Sequence, residues 1–92
     1  MKLNLNVAIK DLNDEAIPET NLGKFIASQL SQSNKGDALK LFEWALKLNK
    51  GEEIDIDSSD QELLKGFVNT SETMTNIVKY RFLECLKDKK SK

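Results

Sequence analysis

The sequence predicts a small α+β fold: a two- or three-stranded sheet, made of an N-terminal hairpin plus a short strand near residues 53–57, covered by four helices. Three observations carry that prediction. Residues 3–9 alternate polar and apolar side chains, residues 53–57 alternate again, and the remaining apolar runs recur at helical spacing. Strands with one wet face and helices with one apolar stripe become buried by stacking in two layers. A chain of 92 residues is large enough for one core and too small for two. Residues 1–88 are therefore expected as one domain, followed by a basic, disordered tail at 89–92.

In the first strand Leu3, Leu5, Val7 and Ile9 are expected to face inward, with Asn4, Asn6 and Ala8 on the other side. Asn13 and Asp14 tolerate the backbone of a reversal, so "AIP" can pair back as a second strand. Pro18 lacks an N–H and suits its end at a sheet edge. From Asn21 the period turns helical. Leu22, Phe25, Ile26 and Leu30 share one arc, capped by Thr20 or Asn21, and the helix should end near Ser33. "SNKGD" breaks the chain: Gly36 can adopt a left-handed conformation, and Asp37 can cap the next helix.

That helix lies in "DALKLFEWALKLNK", residues 37–50. Projected at about 100° per residue, it places Leu39, Phe42 and Leu46 on one flank and Leu41, Trp44 and Leu48 on the other. Ala38 and Ala45 fall between them, and Lys40, Glu43 and Lys47 lie opposite. The apolar arc is about twice the usual ~100° stripe, which predicts a central helix gripped on both flanks. Gly51 suits a left-handed cap, and Lys47 and Lys50 meet the negative end of the helix. Ile54 and Ile56 then face inward in a short strand beside the first, with Glu53, Asp55 and Asp57 outward. "SSDQE" reads as a capping box, Ser58 with Gln61 or Ser59 with Glu62, opening a helix that buries Leu63, Leu64, Phe67 and Val68. After the break at "NTSET", a last helix over about residues 73–87 presents Met74, Ile77, Val78, Phe82, Cys85 and Leu86.

Composition removes several functions. No histidine is present, so a Ser-His-Asp or Cys-His nucleophile cannot be assembled and the commonest transition-metal ligand is missing. The single cysteine excludes an internal disulfide and a thiolate zinc site within one chain. Placed in an apolar arc, it reads as a buried small hydrophobe. The N-terminus resembles neither a signal peptide nor an anchor, and no apolar run approaches the roughly 18 residues of a spanning helix, so a cytoplasmic protein without membrane contact is expected. Fourteen basic against fifteen acidic residues leave a net charge of −1, too small for a global field that attracts nucleic acid.

The acidic run from Glu52 to Glu62 matches the first alternate ligands of a calcium loop at Asp55, Asp57 and Ser59. It then places Asp60 where glycine belongs and Gly66 where glutamate belongs. No metal site is expected; Asp55 and Asp57 remain as an acidic patch for a basic partner, or as strand-edge and helix-start charge. "NLGKF" has a Gly-Lys pair without the rest of a phosphate loop and reads as a helix start. Lys87, Lys89, Lys90 and Lys92 make the tail basic. Arg81 falls inside the apolar arc of the last helix: it either pairs with a carboxylate, or centres an interaction patch with Tyr80 and Trp44, residue types enriched at binding hot spots.

"LGKFIASQL", "KGDALKLFEWALKLNKGEEIDI" and "LLKGFVNTSETMTNIVKYRFLECL" together resemble a family of short phage and prophage proteins of unknown function. The resemblance implies a phage origin and assigns no catalytic or binding residue. The expected function is a small non-enzymatic protein-interaction module, a phage accessory protein acting on a host or phage protein, as monomer or homodimer, with no catalytic residue and no cofactor. The expected contact residues are Trp44, Tyr80, Arg81, Asp55 and Asp57. The alternative is a nucleic-acid-binding accessory protein that uses a lysine-bearing surface and the C-terminal tail.

Overall fold

In the computed structural model, which describes residues 1–33 and 37–87, the alternating segments and helical runs fall in the predicted order. They are β1 (Lys2–Leu3), α1 (Leu22–Gln32), α2 (Ala38–Asn49), β2 (Ile54–Asp55), α3 (Ser58–Asn69) and α4 (Asn76–Lys87). β1 and β2 run antiparallel, Lys2 opposite Asp55 and Leu3 opposite Ile54. The arrangement is compatible with a small α+β fold whose sheet is minimal. Gly36 and the tail lysines Lys89, Lys90 and Lys92 lie outside the described residues.

Of the expected N-terminal hairpin only the start, Lys2–Leu3, enters the sheet, which corrects one expectation. Leu3, Leu5 and Ile9 are buried as the alternation predicts, but Val7 is exposed. The Leu5 carbonyl accepts from the Val7 N–H at 2.7 Å and the Gly23 N–H at 2.8 Å, and the Val7 carbonyl accepts from the Leu22 N–H at 2.8 Å. Acceptors that a partner strand would have used instead satisfy the unpaired donors at the start of α1. The reversal itself sits where Asn13 and Asp14 predict it. Asp14 is left-handed at φ 65°, and the Ile17 N–H donates to the Ile9 carbonyl at 2.8 Å. As strand pairing this amounts to one isolated bridge, Lys10 with Ala16.

Asn21 caps α1: its Oδ1 accepts the Lys24 N–H at 2.9 Å, and its Nδ2 donates to Asn6 Oδ1 at 2.9 Å. Gly23 follows, and a Cβ there would lie 3.1 Å from the Leu5 carbonyl oxygen and 3.2 Å from that of Leu48. The missing side chain lets the start of α1 pass against both the N-terminal segment and the end of α2, so the two helices run antiparallel. Asp37 caps α2, its Oδ1 accepting from the Leu39 and Lys40 amides at 3.1 and 3.3 Å. At the far end Gly51 takes φ 82°. The Gly51 N–H donates to Leu48 and the Glu52 N–H to Lys47, a paired closure that uses two orphan carbonyls.

Leu22, Ile26 and Leu30 of α1 meet Leu41, Trp44 and Leu48 of α2, Ile54 and Ile56, Leu64 and Val68 of α3, and Val78, Phe82 and Leu86 of α4 in one core. Cys85 is half-buried and packs against it. The expectation that α2 is gripped on both flanks is corrected. Trp44 is 7% exposed, whereas Leu39 is 80%, Phe42 50% and Leu46 48% exposed. α1 covers Ala45 and the core covers the Trp44 flank, but Ala38 is exposed and no described element lies over the third side, so α2 is a wall of the fold. No described helix is long and apolar enough to cross a membrane.

Candidate functional site

Leu39, Phe42 and Leu46 are spaced i, i+3 and i+7, which sets them on one line of the α2 surface. Along that line Phe42 and Leu46 form one wall of a groove of about 340 Å³ between α2 and α1. Its floor is Ala27 and Ala45, small enough for the two helices to approach closely, and Lys24, Ser28 and Ser31 form the other wall. That wall is polar: the Ser31 hydroxyl donates to the Ser28 carbonyl at 3.0 Å, and Gln32 Nε2 donates to Ser28 Oγ at 3.1 Å. An exposed apolar strip beside a polar rim is the arrangement that marks contact surfaces on soluble proteins.

None of the contact residues singled out by sequence lines this groove, and among the described residues only Tyr80 and Arg81 of that set line a common one. Trp44 is buried, with the Lys40 ammonium 5.6 Å from its ring centroid, so its indole serves the core rather than a patch with Tyr80. Lys40 Nζ donates to Asp60 Oδ1 at 2.7 Å. Asp60 in turn occupies a capping box one residue earlier than the serine pairs predict. Asp57 Oδ1 accepts the Asp60 N–H at 2.8 Å and the Ser59 hydroxyl at 3.1 Å, and Asp60 Oδ2 accepts the Asp57 N–H at 3.1 Å. Aspartate wins both places because its short carboxylate reaches the local amides and Asp60 also binds Lys40. The Asp60 N–H, then the Ser59 hydroxyl, hold the Asp57 carboxyl below the usual carboxylate range. The hydrogen bond to Asp60 holds the Lys40 ammonium above its ordinary value. Asp57 thus starts α3 and Asp60 ties it to α2 through Lys40, while Asp55 keeps the outward position on β2.

Arg81 is engaged by the chain itself. Its Nε donates to the Lys10 carbonyl at 3.0 Å, its Nη2 donates to the Asp11 carbonyl, and its Nη1 reaches Glu84 Oε1 at 3.1 Å and Asp14 Oδ1 at 3.4 Å. The guanidinium fork therefore holds the reversal at residues 10–14 onto α4, the carboxylate-paired reading of the two the sequence left open. Tyr80 is exposed beside it, its ring centroid 5.5 Å from the Arg81 guanidinium carbon. Arg81 and Tyr80 both line a second shallow groove there, of about 510 Å³, with Leu12, Asp14, Asn76, Ile77 and Glu84. Among the described residues no group of three His, Cys, Asp or Glu side chains could hold a metal ion.

Sequence reasoning placed Leu39, Phe42 and Leu46 in the interior. The signal that could have marked them as surface was the width of the apolar arc, which in so short a chain exceeds what its other elements can cover. Comparison with protein-family models, curated proteins and solved structures finds no match to this chain.

Proposed function

We propose that this chain is a small non-enzymatic protein-interaction module that docks through the outer flank of α2. One observation carries the reading: three large apolar side chains, Leu39, Phe42 and Leu46, stand exposed in line beside a groove, on a helix whose opposite flank is fully used by the core. Leaving that strip in water is unfavourable by about 25 cal/mol for each Å² of apolar surface, a cost that a bound partner removes. The sequence has no histidine to act as a general base, Asp57 and Asp60 are committed to capping α3, and Arg81 fastens the 10–14 reversal. The resemblance to phage and prophage proteins directs the search for a partner to a bacterial host.

The test compares immobilised wild-type chain with Phe42→Glu in a bacterial lysate, after matched circular dichroism and melting curves. Proteins retained by the wild type and lost from Phe42→Glu are the expected result. Retention of the same set by both, or of nothing by the wild type, overturns the reading.

A further inference from the structure

We infer that the groove between α1 and α2 receives an amphipathic α-helix of a partner protein, oriented by a carboxylate that meets Lys24. This rests on docking through α2, proposed above, and adds the kind of occupant. Leu39 to Leu46 spans about 10 Å of helix axis at 1.5 Å per residue, the length over which a partner helix repeats its own i, i+3, i+4 and i+7 anchors. Two antiparallel helices with Ala27 and Ala45 at their seam leave a valley rather than a ridge, and a third helix fills such a valley with side chains interdigitated. No strand of the described residues borders it, so addition of a strand has no edge to start from.

Charge selects among helices. Lys24 is the one charged residue lining the groove, and among the described residues no carboxylate pairs with it. It stands in the first turn of α1, where the positive end of the helix disfavours a cation and favours an incoming anion. The far margin of the apolar strip carries Glu43, Lys47 and Lys50, one acidic and two basic residues, and adds no net negative charge. A second copy of this chain fits less well. Laid antiparallel along its own α2, it sets Glu43 near its symmetry mate, and the carboxylate it brings toward the Lys24 end is Asp37, already bound to the first amides of α2.

Two synthetic helical peptides of about 14 residues, long enough to hold partial helicity, test this against the full chain by fluorescence anisotropy. Both carry leucines at i, i+3, i+4 and i+7; one has glutamates along its margin and the other lysines. The glutamate peptide is expected to bind about tenfold more tightly. Lys24→Glu, a change the first turn of α1 favours, should reverse that order, and Phe42→Ala should weaken both peptides about tenfold, the loss that corresponds to one buried apolar anchor. Equal binding of the two peptides, no reversal by Lys24→Glu, or binding by neither overturns the inference, as does a wild-type dimer in sedimentation that Phe42→Ala dissociates. If the peptides fail while a lysate protein is still lost from Phe42→Glu, docking through α2 stands and the acidic helix falls; if both fail, both readings fall.

Discussion

The two flanks of α2 carry the same kinds of side chain and meet opposite fates. Leu41, Trp44 and Leu48 are buried in the core, while Leu39, Phe42 and Leu46, one helical step around, remain in water. Composition does not separate them; what stands opposite does. The inner flank faces a core to which every other element contributes, and its edge is fixed to α3 through Lys40 and Asp60. The outer flank borders only a shallow groove whose α1 side is Lys24, Ala27, Ser28 and Ser31. A helical period therefore establishes which residues share a face, and the number of remaining elements decides how many faces can be covered.

The largest expected effect separates the flanks directly. Leu48→Ala removes a fully buried side chain and should cost about 3 kcal/mol, within the range for leucine truncation in a core. Leu46→Ala, two residues earlier, should change stability by less than about 1 kcal/mol. Urea unfolding of both variants reads the difference. Equal losses would mean that the outer flank is covered in solution, and would replace an open docking strip with a homodimer.

Next in size is the fastening of the inner flank. Asp60 is buried and accepts from Lys40 and from the Asp57 amide at once. Asp60→Ala leaves an ammonium and an amide without their acceptor and should cost about 2 kcal/mol. Glu43, exposed beyond the outer strip, should tolerate alanine within about 0.5 kcal/mol. If the two substitutions prove alike, the Lys40 and Asp60 pair contributes no more than an exposed surface charge, and the asymmetry of α2 rests on packing alone.

Much of this architecture was legible because its signals are local. Asn21, Asp37 and Gly51 act at the helix ends where their side chains or backbone freedom place them, Ile54 pairs a short strand with the first, and Ile54 and Ile56 both face inward as alternation predicts. The misreadings share a physical cause: each depended on a competitor distant in sequence. Val7 left its predicted face because the carbonyls around it were claimed by α1. The serines of "SSDQE" lost the cap to Asp57 and Asp60 because Lys40, twenty positions away, engages the second carboxylate. For Phe42 and Leu46 the wide apolar arc shows that a face is in excess of what the chain can cover, but a helical period does not say which flank goes uncovered. The candidate site was hidden by the same ambiguity: its residues were identified, but as interior.

The reversal at residues 10–14 gives a contrasting surface, pinned to α4 by Arg81 beside an open groove. Arg81→Lys keeps the charge but loses the fork that reaches the Lys10 and Asp11 carbonyls together. It should cost about 1 kcal/mol and accelerate amide exchange at Ile17, whose bond to Ile9 closes the loop. Phe42→Ala should leave that exchange rate unchanged. Exchange unaltered by Arg81→Lys would show that the loop holds without the arginine, whose place would then be the groove it lines with Tyr80.

The smallest effects lie in the pH dependence, and they belong to the inner flank alone. Asp57 has its pKa lowered from 3.8 by the Asp60 amide and the Ser59 hydroxyl. A carboxyl depressed on folding contributes stability that is present above its unfolded pKa and lost as pH falls through the folded one, so this contribution disappears below pH 3.8. Lys40 is raised from 10.5 by its hydrogen bond to Asp60. Its contribution has the opposite dependence: it is complete below 10.5 and lost as pH rises through the folded value above it. Between those limits neither group changes charge, and the urea midpoint should be insensitive to both. Asn caps a helix as well as Asp does, so Asp57→Asn should keep the neutral midpoint and flatten the acid limb, while Lys40→Met should flatten the alkaline limb. Phe42→Ala should move neither limb, since no titrating partner is tied to the outer strip; a limb that shifts with Phe42 would connect the two flanks electrostatically and dissolve the distinction between them.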